Sequence, residues 1–85
     1  MQKFDKQEYE EAIEGFKRVI ETYPNSYTAI AALCNVGMAY ENMKRWKQAA
    51  EVYDQVITKA GKNPSYADAA DFAREHHRWI RENRL

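Results

Sequence analysis

Tyr9-Glu-Glu-Ala-Ile-Glu-Gly-Phe-Lys-Arg-Val-Ile20 and Trp46-Lys-Gln-Ala-Ala-Glu-Val-Tyr-Asp-Gln-Val-Ile57 follow one pattern. Aromatic stands on aromatic at Tyr9/Trp46 and Phe16/Tyr53. Ala12/Ala49, Val19/Val56 and Ile20/Ile57 also match, every pair 37 residues apart. A period of that length belongs to helical hairpin repeats. A looser echo supports it: Asn25-Ser26-Tyr27 returns as Pro64-Ser65-Tyr66, each after a turn and each opening an alanine-rich segment.

Working outward, Tyr9, Ala12, Ile13, Phe16, Val19, Ile20 and Tyr23 step by three or four, as a core-facing helical stripe must. No stretch alternates like a strand. Breaks fall at Tyr23-Pro24-Asn25-Ser26, at Lys44-Arg45 and at Ala60-Gly61-Lys62-Asn63-Pro64. There proline, glycine and cap-forming Asn or Ser stop one helix and start the next. The pattern predicts helices over 5–22, 26–42, 46–60 and 65–83, in one all-α domain spanning 1–85. Such short connections make consecutive helices antiparallel, and a repeated hairpin stacks on its neighbour to bury the face it cannot bury alone. A short α-solenoid of four helices is expected. The alternative, a closed four-helix bundle, gives no reason for Trp46 to echo Tyr9.

Leu33-x-x-Val36-Gly37-x-x-Tyr40, followed by Ala49-x-x-x-Tyr53, resembles the tetratricopeptide repeat. Gly37 and Ala49 are small where the two helices of a hairpin approach, and Leu33, Tyr40 and Tyr53 fill the space beside them. Ala12-x-x-x-Phe16 and Pro24 match the second-helix half and terminating proline of a preceding copy. The resemblance divides the chain into a partial repeat over about 4–24, a full repeat over 26–61 and a terminal helix over 65–83. Phe72, His76 and Trp79 take the places of Leu33, Gly37 and Tyr40, so a histidine replaces the small residue. The 37-residue period exceeds the family's usual length of about 34. The Tyr-Pro-Asn-Ser turn is similar to that of longer bacterial cell-envelope members such as the Tol-Pal coordinator. Residues 1–8 look like the tail of a first helix otherwise absent, which would leave Phe4, Tyr9 and Ile13 without a cover. A homodimer through uncovered terminal helices is the expectation that follows.

Composition narrows the function. With 45% hydrophobic and 31% charged residues the chain is too polar for a membrane span and too apolar for disorder. Thirteen basic residues balance thirteen acidic ones, which lacks the positive excess that neutralising many phosphates requires. Neither nucleic acid nor membrane insertion is expected. A chain of this length buries only about 60–65% of its unfolded surface, so association would help it. Cys34 is the single cysteine and closes no disulfide within the chain; no apolar run of signal-peptide length follows Met1. The compartment stays open between cytoplasm and, for an exported parent, periplasm.

No residue set demands catalysis, and an enzyme is not expected. His76 and His77 are adjacent and point about 100° apart on a helix, unlike two metal ligands one turn apart. Cys34 has no orienting partner or oxyanion hole in view and reads as a small packed residue. Glu8, Glu10, Glu11, Glu14 and Glu21 spread around a helix as a solvated face rather than a calcium loop. The six tyrosines and two tryptophans are stacking candidates for nucleobases, but Tyr9, Tyr40, Trp46 and Tyr53 occupy packing positions of the repeat. No cofactor or metal is called for. The expected packing set is Tyr9, Ala12, Phe16, Val19, Pro24, Leu33, Val36, Gly37, Tyr40, Trp46, Ala49, Tyr53 and Val56.

The resemblance implies a non-catalytic module that holds a protein or peptide segment on the face lined by the first helix of each hairpin. The matching positions are Ala31, Cys34, Asn35, Met38 and Asn42 on one helix and Ala70, Arg74, His77 and Arg81 on the last. Asn35 stands where many members of the family place an asparagine able to bond a ligand's main chain as donor and acceptor. Arg74, His77 and Arg81 make that face locally positive, suiting an acidic segment, although the family's carboxylate clamp is not reproduced. Arg74 with Asp71 is also an ordinary surface pair. The alternative function is structural: a spacing or oligomerisation segment of a longer array, with no ligand groove.

Overall fold

A computed structural model of the chain describes residues 6–85. Its elements are α1 (Lys6–Thr22), α2 (Tyr27–Asn42), α3 (Trp46–Ala60), a 3-10 turn (Pro64–Tyr66) and α4 (Ala67–Asn83), with no strand among the described residues. The punctuation follows the local chemistry. Ser26 caps α2, its Oγ accepting from the Ala29 amide at 3.0 Å and its hydroxyl donating to the Tyr23 carbonyl at 2.8 Å. α3 ends at Gly61, whose φ of 53° suits a residue without a Cβ. The helix expected from residue 65 begins at 67, because Asn63 caps the 3-10 turn instead, Oδ1 accepting from the Ser65 amide at 2.9 Å. The echoed turns meet in space: the Tyr27 and Tyr66 rings lie 6.0 Å apart, and the Tyr66 hydroxyl donates to the Asn25 carbonyl at 3.4 Å.

Each helix packs along the next, α1 on α2, α2 on α3 and α3 on α4. α2 also touches α4, whereas α1 and α4 do not pack together. That is an open stack of antiparallel hairpins, the expected short solenoid, and not a closed bundle. The core joins Ile13 of α1 to Ile30, Leu33, Val36 and Ala39 of α2, Ala49, Ala50, Val52, Tyr53 and Val56 of α3, and Ala73 and Ile80 of α4. Gly37 is buried among them; Tyr9, Phe16, Tyr40 and Trp46 are half-buried against the cluster.

Three members of the expected packing set lie elsewhere. Ala12 and Pro24 are exposed, and Val19 is half-exposed outside the core cluster. The repeat explains Ala12 and Val19. In α3 the equivalent residues, Ala49 and Val56, are fully buried because α3 is covered by both α2 and α4. α1 is covered by α2, so one of its two faces has no covering helix among the described residues. Pro24 acts through its backbone, in the turn that ends α1. Of Phe4, Tyr9 and Ile13, the residues expected to lack a cover, two fall among the described residues. Ile13 is buried in the core, Tyr9 packs against it, and Phe4 lies outside the described residues.

Candidate functional site

Three helices converge on the ring of Tyr53, which retains no exposed surface. From one side comes α2: a methyl group built on Gly37 would fall 2.6 Å from Cε1 and 2.8 Å from Cζ of that ring. From the other comes α4, with Phe72 edge-on at 6.0 Å between centroids and His76 at 5.3 Å, the two stacked on each other at 4.1 Å. Such ring pairs contribute about 0.5–1.5 kcal/mol each beyond the area they bury. The histidine that replaces Gly37 in the repeat pattern is therefore accommodated, its ring packing against Tyr53 at a tilt of 45° with 5.3 Å between centroids.

Polar atoms line the open edge of this cluster. His76 Nδ1 donates to Glu41 Oε1 at 2.6 Å, tying α4 to α2. A carboxylate only accepts, so Nδ1 carries the proton and has no lone pair left for the Tyr53 hydroxyl 3.5 Å away. That hydroxyl serves Glu41 instead. Burial, and then the hydrogen bond and negative charge of Glu41, push the Tyr53 phenol far above the usual tyrosine range. A sign follows for stability. Below about pH 10 the phenol is neutral in both folded and unfolded chains and its contribution is intact. Above it the unfolded chain releases the proton and the folded one does not, so stability falls by about 1.4 kcal/mol per pH unit. Urea unfolding of the wild type and Tyr53→Phe should diverge between about pH 10 and 11, the wild type losing more; parallel profiles would contradict this account. Burial likewise raises the Cys34 thiol, partly opposed by a backbone hydrogen bond, so Cys34 stays protonated at neutral pH and is a poor nucleophile.

Beyond His76 the edge turns aromatic. Trp79 is 45% exposed, its ring 5.9 Å from that of Trp46, and the Arg84 guanidinium lies 5.0 Å from the Trp46 centroid and 5.5 Å from that of Trp79. Glu41, Glu75, His76 and Trp79 line an open furrow of about 350 Å³ between α2 and α4.

The model of one protein family, the TT21 fifth ARM repeats domain, matches residues 2–83. The chain belongs to that family. No curated protein and no solved structure matches it significantly. What the ARM repeat family shares with the tetratricopeptide resemblance is the helical repeat architecture, which the stacked hairpins display.

In this ARM repeats domain the α2 residues expected at a ligand face do share one face: Ala31, Cys34, Asn35 and Met38 are half-buried and Asn42 is exposed. Cys34, Met38 and Glu41 step by four and three along the edge that meets α4. The Asn35 amide has no hydrogen-bond partner among the described residues. The α4 half of the expectation requires correction. Ala70 is buried, so it is no contact residue. The stripe holding Arg74, His77 and Arg81 is also displaced: α4 reaches α2 through His76, and His77 sits one residue, about 100°, further around the axis. Arg74 is moreover paired with Asp71 at 3.3 Å. The furrow's charged lining is therefore Glu41 and Glu75 with His76, not the basic stripe, and the positive face expected for an acidic segment is turned away from α2. Sequence reasoning missed Glu41, Glu75 and His76 as furrow residues. The available signal was the histidine standing in Gly37's place, since a ring in a slot built for no side chain must find a polar partner across the groove.

A second groove of about 300 Å³ lies between α1 and α3, with Leu33, Val36 and Tyr40 of α2 as its floor and Lys17, Glu21, Gln48, Glu51 and Gln55 along its rim. Among the described residues no three His, Cys, Asp or Glu side chains are placed to hold a metal ion. No described helix is long and apolar enough to cross a membrane.

Proposed function

We propose that this ARM repeats domain is a non-catalytic protein-interaction module that holds a segment of a partner protein in the furrow between α2 and α4. The observation that carries the reading is the pairing of an open furrow, lined by Glu41, Glu75, half-buried His76 and exposed Trp79, with the Asn35 amide on α2, which has no hydrogen-bond partner among the described residues. Asn35 offers one donor and one acceptor group to a main chain, and the rings offer apolar area. The mode is tetratricopeptide-like, with the first helix of the hairpin as one wall. Kinship with cell-envelope members rested on the Tyr-Pro-Asn-Ser turn and plays no part in it. The groove between α1 and α3 is a poorer ligand site. Its rim is five long flexible side chains, each costing about 0.5–1.5 kcal/mol to immobilise, whereas rings with two rotors are cheaper to order. The inert Cys34 thiol supports the non-catalytic reading.

Selection of peptides from a displayed library, followed by mapping of amide shifts on the labelled domain, tests the proposal. Selected peptides should shift α2 and α4 resonances, and Asn35→Ala should weaken them by about 3–10-fold, the effect of one lost hydrogen bond of about 0.5–1.5 kcal/mol. Shifts confined to α1 and α3, or no selectable binder, would favour the spacing role within a longer array.

A further inference from the structure

We propose that the Trp46–Trp79 end of the furrow is a guanidinium site, and that the segment held between α2 and α4 presents an arginine there. The inference rests on the furrow reading above and adds the chemistry of the partner. Three observations carry it. Trp79 leaves nearly half its surface exposed beside Trp46, an arrangement of two tilted indoles 5.9 Å apart. The site already shows what it accepts: the chain's own Arg84 lays its guanidinium over both rings, at 5.0 and 5.5 Å. The adjoining furrow is acidic, with Glu75 one helical turn before Trp79 and Glu41 across from it on α2. A weakly hydrated planar cation stacks on an indole face while its edge donates to a carboxylate, which an ammonium does less well.

Arg84 is a loose occupant. It follows the last turn of α4, is exposed, and makes no ion pair among the described residues, and Glu75 makes none either. A partner arginine can engage the rings and Glu75 together, two interactions where Arg84 makes one. Arg84 then acts as an internal competitor that the incoming arginine displaces.

The probe is N-acetyl-arginine amide, with N-acetyl-citrulline amide as its uncharged isostere, titrated while the two indole N–H resonances are followed. The arginine probe should shift both indoles and the citrulline probe neither. Arg84→Ala vacates the rings and should tighten binding of the arginine probe by about two- to fivefold, the value of an exposed cation–π contact. Arg81→Ala removes the same charge from an exposed position without vacating the rings, and should tighten it less. Glu75→Gln should weaken it. Equal effects of Arg84→Ala and Arg81→Ala, or equal response to arginine and citrulline, would overturn the guanidinium site. Library peptides that bind α2 and α4 without enrichment of a basic position would overturn it while leaving the furrow reading intact. Indole shifts by the arginine probe, with no selectable furrow binder, would keep the cation site and remove the furrow reading.

Discussion

Tyr53→Ala should cost the domain about 3–5 kcal/mol, the usual loss for a fully buried aromatic ring. A domain of this size has a total stability of roughly 4–13 kcal/mol, so the variant is expected to be largely unfolded at physiological temperature or to melt far below the wild type. The size of the effect comes from position. Tyr53 is the one fully buried ring among the described residues, and it is contacted by Gly37 of α2 and by Phe72 and His76 of α4. Removing it opens a cavity between two interfaces at once. Glu41, which gathers the Tyr53 hydroxyl and His76 Nδ1, also loses a donor. Thermal unfolding followed by circular dichroism reads the loss directly. A variant within about 1 kcal/mol of wild type would mean that the α2–α3–α4 junction is not organised around this ring.

Gly37→Ala is the second large effect. On an exposed helix the exchange gains about 1 kcal/mol in propensity. Here the new methyl group would stand 2.6–2.8 Å from Cε1 and Cζ of Tyr53, and that ring has Phe72 and His76 on its far side. Neither backbone nor ring has room to give, and overpacking of this kind costs about 1–3 kcal/mol, sometimes more. The net result should be destabilisation by up to about 2 kcal/mol after the propensity gain is subtracted. The diagnostic is non-additivity: Gly37→Ala should be less harmful in a Tyr53→Leu background, where the clashing ring atoms are gone. Gly15 is the internal comparison, since nothing lies within 4 Å of a methyl group placed there and Gly15→Ala should stabilise. If both glycines respond alike to alanine, steric contact with Tyr53 is not the reason for Gly37.

These residues also show how far the sequence could be read. The small residue at Gly37 and the ring at Tyr53 were legible as a packing pair because the repeat sets them in adjacent helices, and helix punctuation at Ser26 and Gly61 was legible from cap chemistry alone. Burial in α1 was harder. Ala12 and Ala49 are equivalent in pattern yet opposite in exposure, because a repeat defines which faces want cover, and only the three-dimensional stack decides which faces receive it. The ligand face was half legible. On α2 the expected stripe stands together, but on α4 a rotation of one residue moved Arg74, His77 and Arg81 off the furrow and brought Glu75, His76 and Trp79 onto it. Periodicity identifies stripes on a helix without saying how the helix is turned about its axis. That angle goes with the packing of the stacked Phe72–His76 pair against Tyr53, a contact between distant positions.

The layered order of contacts gives the furrow two unlike jaws. α2 is gripped by α1, α3 and α4, so it can swing only if several interfaces yield together. α4 is held chiefly by α3, with a lesser touch on α2 through His76 and Glu41. Local opening draws on weak sets of contacts, and of the two jaws α4 has the weaker set. A guest would thus meet a stationary anvil bearing Asn35 and a hinged clamp bearing Trp79, and fitting a bulkier guest would mean tilting the clamp alone.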